Sequence, residues 1–269
     1  MTGAIEAAVE RLLGVAVAGV RPMTGGDLSS VSRVALVDGR TVIAKCGAQA
    51  AAEARMLAAL ADRAVPASTV LGVDGEVLLM TELDAGGRLD GAAWADLAAV
   101  LARLHRDDGG RYGWNEDYAF GPVAIGNRWR DDWPAFWAEQ RLCCHLPHLP
   151  GALGRRIEAL GRRVGELLPA RPPAALLHGD LWGGNVLVAG GRISGLIDPA
   201  CYHGDCEVDA AMLTLFDAPP ERFFDALELA EGWRERQPVY RLWPLLVHVR
   251  LFGGGYVGSA ETALRTVWF

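Results

Sequence analysis

Apolar positions along this chain change period several times, and those changes mark its elements. Ile5, Val9, Leu12 and Leu13 recur at helical spacing and predict a short helix over 4–13. Further on, the apolar runs 32–37 and 40–45 flank Asp38-Gly39, a strong two-residue hairpin turn, and 69–73 and 76–80 repeat the arrangement around Asp74-Gly75. Between the hairpins, residues 53–60 have helix composition. These stretches predict an antiparallel sheet with one helix. The pattern breaks at 81–87, a connection that ends in Gly86-Gly87, which places a boundary between a first lobe over 1–83 and a second over 84–269. Beyond it, Asp90 caps a helix with Trp94, Leu97, Leu101 and Leu104 on one face. His105, at its end, reads as a packed or capping histidine. Asp131, Asp132 and Trp133 open a helix running through Leu142, and Ile157, Leu160, Val164 and Leu168 mark another. The runs 174–177, 186–188 and 193–197 predict strands, the last two joined at Gly190-Gly191. Met212, Leu215, Phe216, Phe223, Phe224 and Leu227 mark further helices, and 243–252 predicts a buried one ended by Gly253-Gly254-Gly255. The fold class is therefore α+β, with a small antiparallel sheet followed by a mainly helical lobe.

Composition narrows the function classes. The 269 residues are enough for two lobes with a substantial core, and 51% hydrophobic with 22% charged residues is a soluble globular balance. A net charge of −7 without any basic block argues against nucleic acid or an anionic membrane as partner. The first residues lack a basic segment followed by an apolar core, and no apolar run reaches the length of a membrane span. Five cysteines, an odd number without paired CxxC motifs, read as reduced thiols of a cytoplasmic protein.

The chemistry concentrates in Leu177-His178-Gly179-Asp180-Leu181-Trp182-Gly183-Gly184-Asn185, followed by Ile197-Asp198-Pro199. The spacing of His178, Asp180 and Asn185 is that of the kinase catalytic loop H-R-D-x-x-x-x-N. Phosphoryl transfer from ATP requires a carboxylate to orient and deprotonate a hydroxyl, here Asp180. It also requires an amide and a carboxylate to hold Mg²⁺, here Asn185 and Asp198. Any one of these residues alone is an ordinary turn former; the full constellation is what points to a phosphotransferase. Upstream, Gly25-Gly26 could bring backbone N–H groups to phosphates, although most such pairs are simply turns. Lys45 ends an apolar strand, and a pair with Glu53 at the next helix would match the lysine–glutamate pair of kinases. The connection at Glu82 and Leu83 falls where kinases offer backbone groups to adenine. Trp114, Trp129, Trp133 and Trp137 enrich residues 111–145 in rings that either stack on sugars or fill a core, the second being the stronger reading for any one of them.

Gly25-Gly26-Asp27-Leu28, the Lys45 strand, Glu53-Ala54, Tyr112-Gly113-Trp114, Asp131-Asp132-Trp133 and Glu139-Gln140-Arg141-Leu142 together resemble the fructosamine kinase (ketosamine 3-kinase) family. So do the segment 178–185, Ile197-Asp198-Pro199-Ala200, the 207–212 run and 251–256, so that the resemblance spans residues 5 to 265. It implies a bilobal protein-kinase-like fold, shared with aminoglycoside phosphotransferases, and phosphorylation of the 3-hydroxyl of ketosamines with ATP and Mg²⁺. In that frame Asp180 is the base, and Asn185 and Asp198 are the metal ligands. Lys45, paired with Glu53, holds the phosphates under the turn from Gly25. Trp182, His178 and His248 fall on the acceptor side. The chain departs from the family pattern in three places: a short segment between Lys45 and Glu53, Asp205-Cys206 in place of a histidine–arginine pair, and Arg250 in place of an asparagine. The last two are expected near the acceptor pocket. Two alternatives stay open, an aminoglycoside or other amino-sugar phosphotransferase and a nucleotide-binding pseudokinase. The presence of Lys45, Asp180, Asn185 and Asp198 disfavours the pseudokinase.

Overall fold

The protein is described here from a computed structural model covering residues 2–23, 29–106 and 109–267. Two compact units share the chain: Met1–Val100 with Gly184–Pro199, and Leu101–Gly183 with Ala200–Phe269. The chain therefore leaves the second unit after the catalytic-type loop, contributes a hairpin to the first, and returns.

In the first unit, helix α1 (Thr2–Leu13) precedes strands β1 (Val17–Pro22), β2 (Ser30–Leu36) and β3 (Thr41–Cys46), helix α2 (Ala50–Asp62), and strands β4 (Val70–Asp74) and β5 (Val77–Thr81). They form a five-stranded antiparallel sheet in the order β1-β2-β3-β5-β4. Alternation decides which face is buried: in β2, Ser32, Val34 and Leu36 are buried while Arg33 and Ala35 are exposed. Val34, Leu36, Ala44 and Leu79 pack with Ile5, Ala8 and Val9 of α1, whereas Ile43, Leu78 and Met80 pack with Ala50 and Leu57 of α2. The two predicted hairpins are present. Strand β1 was not anticipated because its residues are half-buried or exposed, without alternation; it is a sheet edge that stops at Pro22, where a missing N–H costs nothing. Helix α3 (Gly91–Leu104) follows the 81–87 connection. Strands β9 (Val186–Ala189) and β10 (Arg192–Leu196) complete this unit as an antiparallel hairpin. Leu196 N–H donates to the Pro66 carbonyl at 2.8 Å, and Gly87 N–H donates to Val188 at 2.7 Å.

The second unit contains β6 (Tyr118–Phe120), β7 (Val123–Ile125), α4 (Trp133–Trp137), α5 (Gly151–Arg163), β8 (Ala175–Leu177), β11 (Tyr202–Gly204), α6 (Glu207–Phe216), α7 (Glu221–Ala226), α8 (Trp233–Phe252) and α9 (Val257–Thr266). Here the sequence reading needs correction. The helix expected from 131 to 142 is only five residues of α-helix, capped by Asp132 through Ala135 N–H, after which the ladder widens into a π-helix over Ala138–Leu142. That widening accompanies the burial of Arg141, which has no solvent exposure. The last long helix begins at Trp233, ten residues before the expected start, because buried packing outweighs the cost of Pro238 and Pro244 within it. Strand β11 is too short to read from periodicity and pairs with β8.

Trp133, Phe136, Trp137, Tyr202, Tyr240 and Trp243 form the centre of this unit's core. Arg141 lies among them with its guanidinium 4.0 Å from the Tyr202 ring centre and 4.8 Å from those of Phe136 and Trp243. No carboxylate pairs with it among the described residues. Instead Nη1 donates to the Gly126 carbonyl and Nη2 to Asn127 Oδ1, each at 2.7 Å. Ring faces and carbonyls thus replace a counter-ion. Replacing Arg141 by alanine removes three cation–π contacts and leaves two acceptors unmatched in a cavity. The expected loss, measured by chemical denaturation, is about 3 kcal/mol or more.

Candidate active site

In the first unit, β3 delivers Lys45 and the first turn of α2 delivers Glu53. Lys45 Nζ lies 2.7 Å from Glu53 Oε2 and 2.8 Å from Asp198 Oδ1. Lysine and glutamate are both buried. The eight residues from Lys45 to Glu53 suffice because α2 starts at Ala50, directly after a tight turn closed by Ala50 N–H on the Gly47 carbonyl. Burial pulls the Lys45 ammonium toward the neutral form, but Glu53 and Asp198 more than offset it, so its pKa rises above the ordinary lysine value and the cation is retained.

Asp198 follows β10 with φ of +54°, a left-handed conformation uncommon for a residue with a side chain and found at functional sites. Ile197 N–H donates to the Asn185 carbonyl at 3.0 Å, which ties the start of the β9–β10 hairpin to its end and keeps Asn185 and Asp198 on one short segment. Asn185 is buried, whereas the Asp198 side chain is 37% exposed. Amide and carboxylate oxygens are the hard donors that Mg²⁺ accepts, so the chemistry of this pair fits that ion. Glu82 holds Arg33 in a two-pronged ion pair of 2.7 and 3.0 Å, so its side chain points to the sheet. The Leu83 side chain packs so closely on Gly195 that a Cβ there would collide with it. Gly25 and Gly26 lie outside the described residues.

In the second unit, the loop carrying Asp180 is held from beneath by Asp209 of α6. Asp209 Oδ2 accepts from His178 N–H at 2.8 Å and lies 2.9 Å from His105 Nε2, while Oδ1 accepts from Gly179 N–H at 3.0 Å. Asp209 has no exposure. Burial pushes its carboxyl up, but these partners outweigh burial and hold it below the ordinary carboxylate range. Gly179 adopts φ of +78°, and a Cβ there would strike the Ala200 carbonyl, so the loop admits only glycine at this point. Ala200 N–H in turn donates to the His178 carbonyl at 2.8 Å. The His178 ring is buried, and its Nδ1 accepts from Asp180 N–H at 3.3 Å. It shapes the loop from inside. Asp180 itself is half-buried at the loop surface, and Trp182 is exposed.

A lysine–glutamate–aspartate clamp and a pinned HGD loop are the arrangement phosphoryl transfer calls for, and comparison with known proteins gives the family. A family profile described as fructosamine kinase matches residues 1–268. The chain belongs to the fructosamine kinase family. A Thermus thermophilus protein named as a probable ketoamine kinase is 37% identical over 253 residues, which cover 90% of this chain and 92% of the relative. A Thermobifida fusca structure, assigned provisionally as a fructosamine-3-kinase, superposes with a TM-score of 0.88 at 33% identity over 98% of each chain. An aminoglycoside phosphotransferase of the APH(4)-Ia type shares the fold, with a TM-score of 0.73 at 16% identity over 99% of each chain. The fold is accordingly the bilobal, protein-kinase-like one, and membership of the fructosamine kinase family makes the chain a phosphotransferase acting on a sugar hydroxyl.

The core reading holds for Tyr112, Trp133 and Trp137, which stabilise the second unit. Trp114 and Trp129 both pack on His203, at 5.6 Å. The departures from the family pattern also turn inward. Asp205 is buried and accepts from Tyr240 OH at 2.7 Å, and Arg250 Nη1 lies 3.4 Å from His145 Nδ1. His248 sits on α8 with Nδ1 2.6 Å from the Pro244 carbonyl, half-buried among rings.

His105 is the packed histidine expected from the sequence; the bonds by which its partner Asp209 pins the loop are what the sequence reading does not contain. Their signal was an acid inside the apolar run 207–213, where an unsatisfied carboxylate would be costly. Because the native carboxyl is depressed, its stabilisation is present above the unfolded carboxylate pKa and disappears as pH falls through the folded one. Asp209→Asn should therefore be less stable than the parent by about 2 kcal/mol at neutral pH. In urea titrations repeated toward acid, the gap between the two proteins should close.

Proposed function

We propose that the chain transfers the γ-phosphoryl group of Mg·ATP to the 3-hydroxyl of a ketosamine, a sugar–amine adduct formed by glycation, and so begins its removal in the cytoplasm. The observation that carries this reading is Lys45 bonded to Glu53 and Asp198 in a member of the fructosamine kinase family.

Residues 1–83 would bind the nucleotide phosphates, and 84–269 would carry the catalytic loop, the metal site and the acceptor site. Lys45 would neutralise and align the α- and β-phosphates, with Glu53 fixing the ammonium in place. Gly25 and Gly26 would offer backbone N–H groups to the phosphates, and the backbone at Glu82 and Leu83 would meet the adenine. Asn185 and Asp198 would hold Mg²⁺, which when bound supplies charge neutralisation on the transferring phosphoryl group. Asp180 would orient the acceptor hydroxyl and accept its proton as the new oxygen–phosphorus bond forms and the bond to the ADP oxygen breaks. His178 and Asp209 would hold that carboxylate in register, while Trp182 and His248 would face the acceptor.

The test is a panel of ribulosamines, fructosamines and aminoglycosides offered with ATP and Mg²⁺. A ketosamine should show the highest kcat/KM, and Asp180→Asn should lower its turnover by ~10²–10⁴-fold while nucleotide still binds. An aminoglycoside outperforming every ketosamine would overturn the acceptor assignment, and near-normal turnover in the variant would remove Asp180 as the base.

A further inference from the structure

The second unit exposes a row of aromatic rings that the core does not need. Trp182 meets Phe216 edge-on at 6.0 Å; Phe216 meets His248 at 5.5 Å; His248 meets Phe252 at 5.5 Å and Tyr256 at 4.8 Å. Trp182, Phe216 and Phe252 are 40%, 44% and 49% exposed, and among the described residues they are three of the five large hydrophobic side chains left in solvent. Grouping exposed rings in one strip is the mark of a binding surface, whereas scattered ones need no explanation.

Two properties say what this strip would hold. First, it starts at the reacting end of the site. Trp182 stands two residues after Asp180, and Gly183 N–H donates at 2.7 Å to Asp217, the neighbour of Phe216, which fastens the loop to the strip. Second, the rings of the strip are themselves uncharged. His248 is directed to the Pro244 carbonyl and burial lowers its pKa, so it is neutral at physiological pH. Arg250, on the same helix, is turned to His145. Beyond Phe252 a Cβ on Gly254 or Gly255 would meet nothing within 4 Å, so the space beside the rings is open.

We infer that this strip receives the amine-bearing carrier of the acceptor and favours carriers with an apolar or aromatic group next to the amine. The inference rests on the ketosamine reading above. In a ketosamine the amine sits on C1, two carbons from the one bearing the reacting hydroxyl. A substrate whose hydroxyl is at Asp180 therefore carries its amine, and whatever the amine is attached to, just beyond the loop. A protonated secondary amine is attracted to ring faces, and an apolar carrier covers exposed rings.

The experiment compares two fructosamines of identical sugar and neutral carriers, the adducts of benzylamine and of ethanolamine. The benzylamine adduct should have the higher kcat/KM by ~10-fold or more, within the range apolar contacts discriminate, and the difference should lie mainly in KM. Phe252→Ser and Phe216→Ser should each bring the ratio toward one, and Phe252→Tyr should retain it. Both substituted positions are about half exposed, so the fold is expected to persist, and the parent ratio is decisive by itself. A ratio near one in the parent, or a ratio untouched by either serine, overturns the carrier subsite and leaves the kinase intact. If neither adduct is phosphorylated, the ketosamine reading falls and the inference falls with it.

Discussion

A buried ammonium between two carboxylates is the constraint on which the first unit turns. Lys45 cannot be left alone in an apolar setting, since an isolated buried charge costs several kcal/mol. It is satisfied only if β3, the first turn of α2 and the segment after β10 bring Lys45, Glu53 and Asp198 together. A local pair, eight residues apart, and a segment 153 residues further on are thereby held to one point. That explains why the chain returns to this unit with a hairpin at 184–199 after building much of the other. The same arrangement leaves Asp198 partly exposed, with a lysine on one oxygen and a left-handed backbone. Such a group is suited to anion and cation chemistry and is poorly suited to simple packing.

The second unit solves a parallel problem with the opposite charge. Asp209 is a buried carboxylate whose partners are two backbone N–H groups of the HGD loop and the His105 ring. A carboxylate that accepts several such bonds stays ionised, and the loop cannot shift without breaking them. The geometry at Asp180 is thus fixed by a residue 29 positions downstream and by Gly179, the one residue type that its backbone tolerates. Loop rigidity here comes from buried polar pairing and close backbone approach.

How much of this could be read from the chain depended on the range of the interaction. The two hairpins with Asp-Gly turns, the Lys45–Glu53 pair and the strand ending at Asp198 are local or have strong periodicity, and they are legible. Strand β1 was invisible because an edge strand needs no alternation. The helix at 133–142 was misread because propensity says nothing about Arg141 being drawn among Tyr202, Phe136 and Trp243 from distant segments. The tryptophans were offered as either stacking platforms or core, and burial decides for core at Trp133 and Trp137. The exposed strip from Trp182 to Tyr256 joins residues from four separate segments, so no local pattern announces it.

Under the proposed function Asp198 would serve nucleotide and metal, whereas Asp209 holds the loop beneath Asp180. Calorimetric titration of Mg·ATP into Asp198→Ala and Asp209→Ala separates them. The expected result is that Asp198→Ala loses Mg²⁺-dependent nucleotide binding, while Asp209→Ala, although less stable, binds nucleotide much as the parent does. Equal losses of affinity in the two variants would contradict the assignment.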